Sequence, residues 1–146
     1  MQDFIKAVGQ VNTIHTKADG SVVECTIPNL VVTVGKNFIA SRMASAGAAV
    51  MGWIEVGTGG TAPVVGDTTL QTALYRKAIT VSGGTVAGSA VTYSVTLNPG
   101  EGTGSLQEAG IFNAGAAGTM LARTTFGTIA KAAGDTVTIN WTVSLI

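Results

Sequence analysis

The chain has one cysteine, one histidine, three prolines and only 11% charged residues in 146 positions. Each shortage closes a class of explanation. A lone Cys25 cannot form an intrachain disulfide, so stability has to come from packing. Between Glu24 and Thr26 in a strand-like run, it reads as a half-buried thiol. A lone His15 cannot supply a two-histidine metal site. A Ser-His-Asp triad would have to be built on it, with no Gly-x-Ser-x-Gly elbow to carry a nucleophile. His15 therefore reads as a surface or interface strand residue.

Charge of either sign is also scarce. Eight basic and eight acidic residues give zero formal net charge. The basic residues stand singly except at Arg76-Lys77, so no cluster exists to displace counterions from nucleic acid. The acidic residues are dispersed and form no Asp-x-Asp-x-Asp-Gly calcium loop. A glycosidase pair could arise only through folding, for example Glu55 with Glu108. Solvated turn residues or strand-end ion pairs are the simpler reading. Two glycine clusters invite a phosphate-loop interpretation. Gly57-Thr-Gly-Gly60 is followed by Pro63 and lacks Gly-Lys-Ser/Thr, and Gly35-Lys36 has no glycine-rich loop before it. Both read as backbone freedom at turns. No basic region followed by an apolar core opens the chain, so no secretory leader is expected. The uncharged stretch from Ala78 to Gly100 contains Gly83-Gly84, Gly88 and many Ser and Thr, which reads as strand, turn, strand rather than a membrane span. No catalytic, cofactor or metal residue is assigned, and neither nucleic acid nor membrane is expected as a partner.

What is abundant is β signal. Hydrophobic residues make up 46% of the chain, 20 residues are Gly, and mean hydropathy is +0.43. Val11 to Thr16 and Ser21 to Ile27 flank Lys17-Ala-Asp-Gly20, a hairpin signal. Pro28-Asn29 breaks the second strand and Leu30 to Val34 resumes an apolar run. Gly35 to Ala46 is the one helix candidate, with Phe38, Ile39, Arg42 and Met43 on one face. Further strands are read at Met51 to Val56, Ala73 to Val81, Val91 to Leu97, Leu106 to Phe112, Thr119 to Phe126 and Val137 to Leu145. The last of these alternates most cleanly. Asp67 to Leu70 could open a short helical turn. Trp53 and Trp141 read as core. A weak echo links Leu74-Tyr-Arg76 and Gly88 to Leu121-Ala-Arg123 and Gly134, and two similar hairpins in one sheet system would explain it. The expected fold is mainly β: a β-sandwich or jelly-roll-like domain with one short helix at about 35–46, forming a single unit over 1–146.

A neutral, charge-poor surface offers little repulsion between copies. A sandwich also leaves edge strands, and here few charges protect them. Both features predict self-assembly. The segment 1–9 carries Phe4, Ile5 and Val8 before any strand signal and is expected to be an arm that docks on a partner. Arg76 and Arg123 each follow a Leu by two residues at a strand start. Each could tie loop carbonyls together or pair with Glu108 or Asp67, so Arg76, Arg123 and Glu108 are the candidate structural clamps.

The order Ile54-Glu-Val-Gly-Thr-Gly-Gly-Thr-Ala-Pro63, Gly66-Asp-Thr-Thr-Leu70, Tyr75-Arg76, Gln107-Glu-Ala-Gly-Ile-Phe112 and Met120-Leu-Ala-Arg123-Thr-Thr-Phe126 resembles small tailed-bacteriophage virion proteins, tail-fibre-like or structural, over about Leu30 to Ile146. More distantly it resembles the N-terminal domain of tail-collar fibres. The resemblance implies a non-enzymatic virion component made in the host cytoplasm. Ile146 directly follows the last strand, so no fibre shaft is expected. A capsid decoration (cement) protein is therefore the leading expectation, as a homotrimer bound to the major capsid protein. A tail, collar or fibre-adaptor protein, with a link to host adhesion, is the alternative. A glycan-binding module is a third class, disfavoured by an aromatic content of 5%.

Overall fold

The computed structural model describes residues 3–44 and 47–146. Ten strands and one helix run in the order β1 (Ala7–Thr16), β2 (Val22–Pro28), β3 (Leu30–Val31), α1 (Thr33–Met43), β4 (Trp53–Gly57), β5 (Ala73–Ala78), β6 (Thr85–Ala87), β7 (Ala90–Leu97), β8 (Gly104–Phe112), β9 (Met120–Lys131) and β10 (Thr136–Leu145). They form two five-stranded antiparallel sheets, β2-β1-β10-β7-β6 and β3-β9-β8-β4-β5. The fold is a β-sandwich with one short helix.

Period-two alternation builds the main core. Val137, Ile139, Trp141 and Val143 of β10 and Tyr93, Val95 and Leu97 of β7 point inward with Val11 of β1. Opposite them lie Ile54, Val56, Leu106, Ile111 and Leu121 of the second sheet. The residues between them point outward and bond to one another across the first sheet. Thr92 meets Thr142 at 3.0 Å, the Ser94 hydroxyl donates to Asn140 Oδ1 at 2.9 Å, and Thr96 meets Thr138 at 3.0 Å. This outer face is a ladder of short polar side chains. The outer face of the second sheet is covered instead. Phe112 and Met120 join Val32 and Leu70 in a second apolar cluster, with Val34 and Trp53 against it.

The structure corrects several expectations. The helix starts at Thr33, two residues early, because the strand read from Leu30 to Val34 stops at Val31. It ends at Met43, and the expected extension to Ala46 lies partly outside the described residues. Phe38 and Ile39 pack on the main core, while Met43 is 85% exposed. Asp67 opens no helical turn. Its carboxylate accepts the Val64 N–H at 2.9 Å, and its own N–H donates to the Val64 carbonyl at 3.0 Å, closing a tight loop. The glycine readings also change in kind. Gly35 lies inside the helix, where a Cβ would sit 2.0 Å from the Leu121 carbonyl oxygen. Gly57 and Gly59 likewise have no room for one. None of the three has a positive φ, so they serve close approach, not backbone freedom. Strand β1 begins at Ala7, with Val8 opposite Ser144, so the arm is shorter than 1–9. Cys25 is exposed, since β2 is an edge strand not covered by the other sheet. The landmarks of the internal echo fall on β5 and β9 of one sheet, each followed by strands of the other. The echo therefore repeats a crossing between sheets and not a hairpin within one.

Candidate functional site

Among the described residues, three polar constellations and one apolar groove stand out. The first is built around Glu108, in the middle of β8 and 0% exposed. Its Oε1 accepts the N–H groups of Gly59 at 3.1 Å and Thr72 at 2.7 Å. Its Oε2 accepts the Gln71 N–H at 2.9 Å and two guanidinium donors of Arg123, Nε at 3.1 Å and Nη2 at 2.7 Å. Arg123 also donates from Nη1 to Asp67 Oδ2 at 2.8 Å and from Nη2 to the Thr61 carbonyl at 2.9 Å. One buried carboxylate and one buried guanidinium thus fasten both ends of the 58–72 loop onto the sheet. Burial pushes the Glu108 carboxyl up, but the Thr72 and Gln71 N–H groups and Arg123 outweigh it and hold it below the usual range. The small residues of Gly57-Thr-Gly-Gly60 make this possible, because a Cβ at Gly57 or Gly59 would lie 2.6 Å from Glu108 Oε1.

The second constellation lies two strands away on the same sheet. Antiparallel register aligns Arg123, Gly110, Glu55 and Arg76 across β9, β8, β4 and β5. Arg76 forks onto Glu55, with Nε to Oε1 and Nη2 to Oε2 both at 3.1 Å. Its Nη1 donates to the carbonyls of Ala114 and Ala117, at 2.9 and 2.8 Å. The guanidinium carbon stacks 3.8 Å from the Phe112 ring centre. Arg76 therefore fixes the 113–118 loop as Arg123 fixes the 58–72 loop. Glu55 and Glu108 are each closed in a pair with a different arginine, so they do not converge on a shared cleft.

The third constellation corrects the reading of His15 as a surface residue. His15 is buried in phase with Val11 and Thr13. Its Nε2 lies 2.8 Å from Asp135 Oδ2. A carboxylate only accepts, so Nε2 carries the hydrogen. Asp135 also accepts the Ala18 N–H at 3.1 Å and the Ala132 N–H at 2.9 Å. The bonds from His15, Ala132 and Ala18 hold its carboxyl below the usual range. The group ties the β1–β2 turn to the β9–β10 turn. Sequence reasoning also passed over Lys131, buried with its Nζ donating to the Asn98 carbonyl at 3.0 Å. Burial pushes its pKa down. Among the described residues, no three His, Cys, Asp or Glu side chains gather as a metal site would need. No helix among the described residues is long and apolar enough to cross a membrane.

The groove lies where β1, β3, β10 and α1 meet. It measures about 900 Å³ and is lined by Ile5, Val8, Leu30, Ile39, Met43 and Leu145, among others. Of the arm residues, Ile5 and Val8 border it, and Phe4 precedes it at 78% exposed. Among the described residues its charged lining is Lys6, Lys36 and Arg42, with no Asp or Glu. No protein-family model, curated protein or solved structure matches this chain.

Proposed function

We propose that this chain is a non-enzymatic structural component of a tailed-phage particle, a capsid decoration (cement) protein that assembles with copies of itself, as a homotrimer, and with the major capsid protein. The observation that carries the reading is how polar and apolar groups are distributed. The buried and half-buried charges are spent on fastening loops: Arg123 with Glu108 and Asp67, Arg76 with Glu55, His15 with Asp135. Large apolar side chains are left outside, among them Phe4, Ile5, Met43 and Ile146. An enzyme would gather titratable groups in an open cleft. Here they are closed in pairs, while several large apolar side chains stay exposed beside a buried apolar core, as in a protein completed by other protein. The resemblance carried by Ile54 to Pro63, Gln107 to Phe112 and Met120 to Phe126 supplies the virion context.

The mechanism is linkage. A protein that binds only the assembled shell stabilises it by mass action. Many symmetric copies add avidity without strong single contacts. Rigid loops serve that role, because a clamped surface loses little conformational freedom on docking. The test is the copy number of this protein per purified particle, relative to the major capsid protein, by quantitative mass spectrometry. A ratio near unity supports decoration of the lattice. A ratio of a few per hundred moves the protein to the tail, collar or a fibre adaptor. Absence from particles refutes both.

A further inference from the structure

The apolar groove and the segment that precedes β1 are complementary to each other. The groove is apolar at its base, and its charged lining is entirely basic: Lys6, Lys36 and Arg42. Arg42 already donates to the Ala48 carbonyl at 2.7 Å. Lys6 and Lys36 form no ion pair among the described residues. A fitting occupant therefore joins bulky apolar side chains to a carboxylate. The chain carries such a stretch in Asp3-Phe4-Ile5. Phe4 and Ile5 are 78% and 79% exposed, and Asp3 is exposed with no ion-pair partner among the described residues.

The segment does not fill its own groove. Lys6 is locked to the end of β10, its N–H donating to the Ile146 carbonyl at 2.8 Å and its carbonyl accepting the Ile146 N–H at 2.9 Å. That pair prolongs the β1–β10 ladder, and of the segment only Ile5 lines the groove, while Asp3 and Phe4 do not. Ile5 borders the groove while remaining mostly exposed. From Asp3 to Ala7 an extended chain reaches about 13 Å, enough to cross into a neighbour lying against the same end of the sandwich.

We propose that Asp3, Phe4 and Ile5 of one copy seat in the groove between β1 and α1 of a second copy, with the Asp3 carboxylate against Lys36. The inference rests on the self-assembly part of the proposed function and not on its place in a virion. Each copy offers one segment and one groove, so the exchange closes as a reciprocal pair; it takes from the proposed function only that copies associate, and puts a dimer in place of the homotrimer. Phe4 and Ile5 of the segment and Met43 of the groove together expose roughly 400 Å² of apolar surface per copy. A standard interface takes about 800 Å² from each partner, so the exchange supplies about half of what a stable association needs.

Sedimentation of the full chain, from about 1 to 100 µM, tests this with charge-reversed variants. Asp3→Lys places a cation against Lys36, and Lys36→Glu places an anion against Asp3. Each is expected to weaken self-association by roughly fivefold to tenfold, as for exposed pairs turned repulsive. An equimolar mixture of the two pairs opposite charges in both directions, so association should return to near the unmodified level. Docking within one copy cannot produce that recovery. Removing both apolar groups, Phe4→Ala with Ile5→Ala, is expected to weaken association by about a hundredfold or more. An unchanged melting temperature of the variant monomer would show that the fold is intact. A monomer at 100 µM, an oligomer indifferent to all these changes, or a mixture that stays dissociated overturns the exchange. So does a monomer that loses shell binding on Phe4→Ala, which would assign the segment to the capsid protein. The particle copy number stands apart from these outcomes: its failure removes the virion reading and leaves the exchange intact.

Discussion

Replacing Glu108 by Gln changes one oxygen to nitrogen and removes one charge, yet it is expected to cost about 3–5 kcal/mol of folding stability. The carboxylate accepts five hydrogen bonds, two at Oε1 and three at Oε2. An amide keeps one oxygen. Its –NH₂ must then face donors on whichever side it turns, Gly59 and Thr72 or Gln71 and Arg123. Those N–H groups lose a fully buried acceptor, at about 1–3 kcal/mol for each donor left unpaired where it too is buried, as Gly59 and Arg123 are. Arg123 keeps only the partly exposed Asp67 as counter-charge, and breaking one side of a buried pair costs about 3–5 kcal/mol. These costs overlap, so the larger one bounds the estimate. For a domain of this size, the melting temperature falls by about 10–15 °C. Circular dichroism or tryptophan fluorescence (Trp53 and Trp141) during thermal unfolding measures it. Glu108→Gln combined with Arg123→Met should recover part of the loss, because no guanidinium is then left uncompensated. A Glu108→Gln variant melting within about 2 °C of the unmodified chain would show that the clamp does not hold the 58–72 loop.

Other expectations follow from the same contacts. Glu108 and Asp135 both have folded pKa values below their ordinary ones. Their stabilisation is thus fully present above about pH 4.5, the unfolded range, and is lost as pH falls through the lower folded values. The melting temperature should drop with acid in that window, less steeply for Glu108→Gln than for the unmodified chain. Gly59→Ala puts a methyl 2.6 Å from Glu108 Oε1 and should destabilise by about 1–3 kcal/mol in denaturant titration. Gly35→Ala meets the Leu121 carbonyl at 2.0 Å. Helix α1 must then shift off β9, at a similar or greater cost. Cys25 is exposed, so a thiol reagent should titrate one equivalent without denaturant. Labelling seen only after unfolding would contradict that placement of β2.

The strands that were plain in the sequence are those buried on one face. Strands β7 and β10 alternate because their outer residues stay wet, and the pattern gives both the strand and its inward side. Strand β8 is different. From Glu108 to Phe112 every residue is buried, because the 58–72 loop covers the outer face, and period two is erased. The clue there was chemical: a glutamate inside the apolar run Leu106 to Phe112 needs a buried cation. Arg123 and Arg76 stood out by their positions, but which carboxylate each takes depends on register, which no local pattern encodes. His15 was legible and misread, since it continues the phase of Val11 and Thr13. The glycines of Gly57-Thr-Gly-Gly60 announced a loop. That they make room for a carboxylate depends on a strand some fifty residues away.

The position of β10 in the first sheet has a consequence for how the chain is made. It is the last strand synthesised of those described, and it lies at the centre, between β1 and β7. Until it emerges, β1–β2 and β6–β7 are separate two-stranded ribbons, each with an inner edge of unpaired backbone, and such ribbons are marginal in water. The first sheet therefore cannot grow strand by strand on the ribosome and has to close in one late step, when Thr136 to Leu145 slots between ribbons made long before. A nascent or truncated chain lacking that strand presents two open edges that another unfinished copy can pair with. Copies able to associate in the native way therefore come only from chains in which that strand has already been made.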